Sequence, residues 1–397
     1  MANTDVGVYI GRFNPFHLGH AYVLEQALKK YKLVIVLVGS AFQPRMPKNP
    51  FTYAERKDMI ETWKTDWSLQ TDTIGNLVVL PMRDFASNNM WIKSVQATVH
   101  NAMNKFCLAR NEILTDVTIT GSDRDDTTWY LEAFPHWNKD LVPALQHKPG
   151  TDADLSATSV RRVLYESDIL ITTNGVQFSD ADLAVLQQKL PKTTVGFITS
   201  FIRKQPEELG ALRVQNAFIK EGKEKWAGSP HPVTFNTADA VIIQSGHVLM
   251  IQRANQPGYG LWALPGGYVN QHERIRAAAV REALEETGIR LTTGKNAEEI
   301  TKKMLDGAIR GKEIFDDPNR SERGRIITVA YLMRLDDTKP LPKVSGQLVP
   351  AYESNGKETV ETFAAEWKRL EWVSSNTHLI FEDHDRIIGW AEAQIDQ

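Results

Sequence analysis

The sequence predicts an α/β protein of more than one domain, the first of them a doubly wound parallel sheet. Three observations predict it. The apolar runs at residues 6–10, 33–38, 77–80 and 117–121 are short and continuous, as strands covered on both faces are. Between the last two, Trp91, Val95, Val99, Ala102, Met103 and Phe106 keep helical spacing, so strand and helix alternate. The length of 397 residues also exceeds what one ordinary core organises, and roughly two or three domains are expected.

Composition narrows the function classes. A net charge of −3 gives no general affinity for nucleic acid or an anionic membrane, so phosphorylated ligands must meet local Arg and Lys clusters. Cys107 is the only cysteine, which excludes an intrachain disulfide and points to a reducing compartment. On its amphipathic helix it reads as a small buried hydrophobe. No basic segment followed by a long apolar stretch opens the chain, and the run at 33–38 is far too short to span a bilayer. A cytoplasmic protein without nucleic-acid or membrane partners is expected.

The first strand runs into GRFNPFHLGH (11–20), followed by a helix with Ala21, Leu24 and Leu28 on one face. A strand-to-helix turn presents unpaired N–H groups and a helix dipole, which favour an anion. Gly11 and Gly19 let backbone approach a phosphate, and Pro15 stiffens the turn. His17 and His20 share a face at the helix start. That spacing also suits a metal pair, but no nearby carboxylate or Cys completes a ligand set, and two imidazole donors aimed at phosphate fit better.

NPFTYAER (49–56) opens the next helix, with Thr52 and Glu55 at capping-box spacing. Arg56 falls in its first turn, unfavourable against the dipole unless it meets an anion, so a phosphate contact is expected over an exposed salt bridge. Asn88 and Trp91 follow the third strand, where a Trp packs in the core or stacks on a flat base. GSDRDD (121–126) follows the fourth, where Asp123 serves ribose hydroxyls or a solvated turn. LSATSVRR (155–162) places Ser156 and Thr158 at a helix start as caps and anion donors, with Arg161 one turn in.

These motifs resemble the nucleotidyltransferase superfamily, and within it the archaeal-type nicotinamide mononucleotide adenylyltransferases, over about residues 5–190. The resemblance implies a Rossmann-like nucleotidyltransferase domain in which His17, His20 and Arg161 contact the triphosphate of ATP. Gly11, Arg12, Phe13 and Arg56 assist at the substrate, and Asn88 and Trp91 contact nicotinamide. The implied reaction transfers AMP to nicotinamide mononucleotide, giving NAD and pyrophosphate, with Mg²⁺.

Residues 176–227 are helical in pattern, with Leu183, Leu186 and Leu190 at one spacing and Leu209, Leu212, Phe218 and Ile219 at another. GSPHP (228–232) breaks it. The expected domains are 1–190 and 233–397, joined by a helical extension and linker at 191–232. The helices complete the first core or form a dimer contact, which leaves a homo-oligomer open.

The runs 239–243 and 248–251 flank QSGH (244–247), a hairpin. Gly267-x5-Glu273-x7-Arg281-Glu282-Ala283-Leu284-Glu285-Glu286-Thr287-Gly288 follows. On a helix, Glu282, Glu285 and Glu286 converge, and crowded like charges make a bound cation the natural explanation. Oxygen ligands of this kind suit Mg²⁺ or Mn²⁺. Ala277 and Leu284 supply the buried face, and Gly288 ends the helix.

This pattern resembles the Nudix box, with family similarity over about residues 234–397. It implies an α/β/α domain, a mixed sheet between helices, that hydrolyses diphosphates with metal-bound carboxylates. Glu282, Glu285, Glu286 and Gly266 become the metal ligands. FDDPNRSERGRIIT (315–328) resembles the loop of Nudix proteins acting on ADP-ribose, with Arg323 and Arg325 at diphosphate or ribose phosphate. Trp367, Trp372 and FEDH (381–384) shape the pocket or belong to the core. The order of the halves resembles the family of adenylyltransferase–Nudix fusions, one half making NAD and the other cleaving ADP-ribose to AMP and ribose 5-phosphate. Two rival readings stand beside this one, a Nudix half that senses ADP-ribose without cleaving it and a first half that uses another phosphate acceptor. Intact Glu282, Glu285 and Glu286 argue against the sensor, as does the lack of a DNA-reading segment.

Overall fold

The computed structural model describes residues 4–71, 75–85, 87–122, 126–143, 145, 156–172, 175–344, 350–352, 358–360 and 362–395. The chain divides into two compact units, Met1–Arg213 and Val214–Gln397. The division falls inside a helix, upstream of the break at 228–232. Among the described residues, no helix is long and apolar enough to cross a membrane.

The first unit opens with β1 (Thr4–Gly11), α1 (Leu18–Lys30), β2 (Tyr31–Val38), α2 (Tyr53–Ser68), β3 (Asn76–Pro81), α3 (Asn88–Arg110), β4 (Val117–Gly121) and β5 (Asn138–Leu141). The strands form a five-stranded sheet in the order β3-β2-β1-β4-β5. Every pairing is parallel, with Val8 between Ile35 and Ile119. The uninterrupted apolar run at 33–38 in β2 follows, because helices cover both faces. Leu24, Leu28, Met59 and Ile60 close one side, and Val95, Val99 and Met103 the other. The order reverses between β1 and β4, which makes the carboxyl ends of these two strands the ligand crevice.

Next come α4 (Ala157–Glu166), a hairpin of β6 (Leu170–Thr172) and β7 (Gly175–Gln177), α5 (Asp180–Lys189), α6 (Lys192–Lys204) and α7 (Pro206–Trp226). Leu186, Leu190, Ile198, Phe201 and Leu209 join the first core, while Leu183 is half-buried. Phe218, expected on the buried face of α7, is 47% exposed.

The second unit contains β8 (Thr234–Gln244), β9 (His247–Arg253), β10 (Trp262–Ala263), β11 (Gly266–Tyr268), α8 (Ile275–Thr287), α9 (Ala297–Gly307), β12 (Ile309–Phe315) and β13 (Arg325–Arg334). A small hairpin of β14 (Pro350–Tyr352) and β15 (Glu358–Val360) precedes β16 (Thr362–Arg369), α10 (Leu370–Ser375) and α11 (His384–Ile395). The main sheet is mixed: β8 pairs in parallel with β13 and antiparallel with β9 and β11. Ser245 and Gly246, both at positive φ (48° and 71°), make the tight β8–β9 turn. Alternation along β8 sends Ala238, Ala240 and Ile242 into the core shared with α8. Val241 and Ile243 enter the core shared with α11. Gly288 ends α8 in the left-handed conformation. Its buried face is Ala278, Ala279 and Ala283 together with Glu282 and Glu286, whereas Ala277 and Leu284 lie half-buried at the margin.

Candidate functional sites

In the first unit, His17 caps α1 and forms a reciprocal box with His20. Each Nδ1 accepts the other residue's backbone N–H, at 3.3 and 3.2 Å, and the rings stack with centroids 3.6 Å apart. An Nδ1 that accepts a hydrogen bond carries no proton, so each neutral ring holds its proton on Nε2 as a donor. Both rings line a cavity of about 150 Å³ with Gly11, Gly19, Ser122 and Tyr130. The Ser122 hydroxyl is buried there without a hydrogen-bond partner among the described residues. The first turn of α1 carries no acidic residue, which keeps its dipole available to an anion.

Arg161 joins the second motif to the first. Its guanidinium donates to the Asn14 carbonyl (2.9 Å) and to the Thr158 hydroxyl (3.1 Å). Asn14 in turn bonds both backbone groups of Phe51, clamping the loop ahead of α2. Ser156 stands at the N-cap of α4 without a side-chain capping bond, and that first turn is also free of acidic residues. Behind it, buried Lys189 donates to the Ser159 hydroxyl at 2.8 Å.

Two expected substrate contacts stand on buried side chains that bond or pack within the first unit. Arg56 is 1% exposed and donates to the carbonyls of Arg12 (2.8 Å), Gly39 (2.8 Å), Ser40 (3.0 Å) and Thr52 (3.3 Å). It clasps the ends of β1 and β2 to α2, and burial pushes its guanidinium down to about 10, against the pull of Asp84. Phe13 is also 1% exposed. Its ring packs on Tyr9 and His20, and a Cβ at Gly11 would come within 2.9 Å of it. Gly11 is therefore required by the Phe13 ring, and Phe13 backs His20 from the core.

Arg12 and Asn88 are exposed, and Asn88 begins α3. Trp91 is half-buried among Trp129, Tyr130 and Phe134, with centroids 5.5, 6.3 and 6.1 Å away. Tyr130 donates to the Ile10 carbonyl (3.2 Å) and lines the histidine cavity, which links Trp91 to the turn. Trp129 and Tyr130 were not singled out from sequence, although an aromatic pair just past the β4 motif was a signal of the same kind as Trp91. Asp123 lies outside the described residues.

In the second unit, Glu286 accepts the Gly266 N–H at 2.8 Å. A Cβ at Gly267 would fall 2.5 Å from a Glu282 oxygen, so the glycine pair makes the cradle for this helix. Glu282 and Glu286 are buried, at 7% and 6% exposure. Glu285 is exposed and pairs with Arg281. Among the described residues, no three His, Cys, Asp or Glu side chains stand together as a ready metal-binding group. Arg281 bonds Glu273, Glu282 and Glu285 (2.9, 2.7 and 2.9 Å), so the crowding attributed to a metal is offset by this guanidinium. The two buried carboxylates and the Gly266 backbone still make a hard-oxygen donor set suited to a divalent ion.

Beyond the glycines lies a buried polar network. Arg320 and Asp383 form a bidentate pair (3.0 and 2.8 Å). Arg323 bonds Glu382 (3.1 Å) and lies over the Phe381 ring, as does Arg253. Burial and the neighbouring Arg323 push Arg253 down to about 10. Asp239 bonds Thr328 (2.6 Å), and burial pushes its carboxyl up to about 6 against the pull of Arg320. His384 Nδ1 accepts the Leu264 N–H at 2.8 Å, and burial among arginines holds the ring well below the usual imidazole range. Arg325 instead bonds the Asp316 carbonyl on the exposed loop. Trp372 and Phe381 belong to the packed interior, and Trp367 donates to the Pro342 carbonyl.

Comparison with known proteins divides the chain in the same way. Residues 8–163 match the Cytidylyltransferase-like family and residues 234–390 the NUDIX domain. The nicotinamide/nicotinic acid mononucleotide adenylyltransferase of Acinetobacter baylyi is 28% identical over 170 residues, 43% of this chain and 80% of that protein. The nicotinamide-nucleotide adenylyltransferase of Saccharolobus solfataricus is 33% identical over 111 residues, 28% of this chain and 62% of its own. A crystal structure of a bifunctional NMN adenylyltransferase/ADP ribose pyrophosphatase from Francisella tularensis, complexed with AMP and a Mn ion, matches with a TM-score of 0.75. The match has 29% identity and covers 98% of this chain and 99% of that one.

Proposed function

We propose that this chain, which joins a cytidylyltransferase-like domain to a NUDIX domain, is a bifunctional enzyme of NAD metabolism. Its first half transfers AMP from ATP to nicotinamide mononucleotide, giving NAD and pyrophosphate. Its second half hydrolyses ADP-ribose to AMP and ribose 5-phosphate. The observation that carries this reading is the match of 98% of the chain, both halves together, to one bifunctional protein. The lone Cys107 suits a reducing, cytoplasmic setting.

In the first site no protein nucleophile is needed. The acceptor phosphate has a second pKa near ~6 and is mostly dianionic at neutral pH. Its oxygen attacks the α-phosphorus of ATP in line, and the bond to pyrophosphate breaks. His17 and His20 offer Nε2–H groups to the charged oxygens, and Arg161 adds a fixed cation. The acidless first turns of α1 and α4 add their dipoles. Trp91 and Asn88 take the nicotinamide end.

In the second site, Glu282, Glu286 and the Gly266 carbonyl would hold a divalent ion, Mg²⁺ or Mn²⁺. When bound, that ion supplies charge for the diphosphate and lowers the pKa of water. Arg323, oriented by Glu382, and Arg253 place positive charge beside the carboxylates for a diphosphate.

The test is to incubate the full chain with ATP and a panel of phosphate acceptors, and separately with ADP-ribose and Mg²⁺, and to analyse products. NAD with pyrophosphate from nicotinamide mononucleotide alone, and AMP with ribose 5-phosphate from ADP-ribose, are expected. Transfer to a different acceptor overturns the first assignment. Binding of ADP-ribose without AMP release makes the second half a sensor.

A further inference from the structure

At the amino-terminal edge of β8, the second unit holds a cavity of about 660 Å³, within the roughly 300–1,000 Å³ of small-molecule sites. Its apolar wall is Trp226, Phe235 and Tyr268. Trp226 meets Phe235 at 5.5 Å and 70°, and Phe235 meets Tyr268 at 5.7 Å and 66°, both edge to face. A cluster that served packing alone would bury its rings, yet Trp226 is 53% and Tyr268 49% exposed. Edge-to-face contact leaves ring faces open to a flat partner. The carboxamides of Asn236, Asn270 and Gln271 also line it; Asn270 donates one N–H to Glu273 at 3.2 Å, and a carboxamide has a second N–H and an oxygen suited to the edge of a base.

This cavity adjoins the acidic helix through Glu273 and Tyr268, both bonded to Arg281. Tyr268 follows Gly266 and Gly267 on β11, and its carbonyl accepts from Arg281 at 3.2 Å. Glu273, which also lines the cavity, is the bidentate partner of Arg281. Phe235 sits opposite Ile326 in the β8–β13 register, and a Cβ at Gly324 would lie 3.9 Å from its ring. The segment carrying Arg323 therefore borders the aromatic wall. A ligand with phosphates between the acidic helix and Arg323 has a flat, hydrogen-bonding recess beside them.

We infer that this aromatic recess takes the nucleobase of the diphosphate hydrolysed by the second half, an inference that rests on the hydrolytic reading above. Trp226 and Tyr268 stack on the base, and the carboxamides meet its edge.

Steady-state release of AMP from ADP-ribose by the full chain, with Mn²⁺, tests it in Trp226→Ala, Tyr268→Ala and Trp226→Phe. Loss of one stacking ring raises KM about tenfold, with a smaller change in kcat, and Trp226→Phe recovers most of the loss. Melting temperature and adenylyl transfer serve as folding controls. If both alanine variants fold and keep KM within about twofold while AMP release continues, the base lies elsewhere and the inference fails. If the unmodified chain releases no AMP, the hydrolytic reading fails instead.

Discussion

His17 and His20 cap each other, with each Nδ1 on the other's N–H (3.3 and 3.2 Å) and the rings stacked at 3.6 Å. One arrangement thus does two jobs. It satisfies N–H groups at the start of α1, and it fixes the tautomer that leaves Nε2–H as the donor on each ring. The two jobs separate by substitution. In His20→Asn, the Asn oxygen stands near the former Nδ1 and keeps the cap, while the Nε2–H donor is gone. Turnover of adenylyl transfer should fall about 10²–10³-fold with little change in melting. His20→Ala should lose turnover and stability together. Retention of turnover in His20→Asn would remove this imidazole from the chemistry.

Arg56 gives the opposite expectation. A residue touching phosphate raises KM for ATP when changed to lysine and leaves folding alone. Arg56 instead holds four backbone carbonyls in a buried site, and an ammonium cannot span them in the same fork. Arg56→Lys should destabilise the first unit by about 2–3 kcal/mol, read by hydrogen exchange of β1 and β2 amides. Unchanged protection with a raised KM for ATP would return Arg56 to the substrate.

What the sequence disclosed, and what it hid, follows from range. Local physics was legible: the Thr52–Glu55 box, the αL end at Gly288, the tight turn at Ser245-Gly246 and the alternation that builds the parallel sheet. The glycine-containing turn at 11–20 was legible because its residue types and spacing coincide. Partners distant in the chain were hidden. Arg56 looked like an anion contact because the carbonyls that surround it lie up to 44 residues away. Phe13 sits inside a binding motif yet faces the core, which spacing does not reveal. Arg320 stood in the ADP-ribose-like loop and Asp383 in FEDH, read as pocket or core, and nothing local shows that the two pair across 63 residues. The three glutamates of α8 invited a metal, and only the fold shows that Arg281 also answers their charge.

The carboxylates of α8 should therefore differ in importance. Glu286 is buried and accepts the Gly266 N–H, whereas Glu285 is exposed and paired with Arg281. Glu286→Gln retains an oxygen for the Gly266 N–H but removes the charge a divalent ion needs. Hydrolysis of ADP-ribose should drop by about two orders of magnitude or more. Glu285→Gln should cost about tenfold or less, the size of an exposed pair with a secondary role. Equal losses in both, measured at saturating Mn²⁺, would overturn this ranking.

The capping box of α2 gives the pH prediction. Glu55 takes a bidentate pair from Arg45 (2.9 and 3.0 Å) and the Thr52 N–H at 2.8 Å. Burial alone would raise its carboxyl, but Arg45 and Thr52 together hold it below the ordinary value of 4.5. The folded state then binds fewer protons than the unfolded chain between these two values. Stability from Glu55 is fully present above about pH 4.5 and is lost as pH falls through the lower folded-state value. Glu55→Gln should therefore destabilise the first unit by about 2 kcal/mol at pH 7. The deficit should shrink as acid protonates the native carboxyl too. Hydrogen exchange of the α2 amides, followed for both proteins from pH 7 downward, reads the difference in this unit alone. A deficit that stayed constant into acid would show that Glu55 acts by shape, through the neutral cap, and not through its charge.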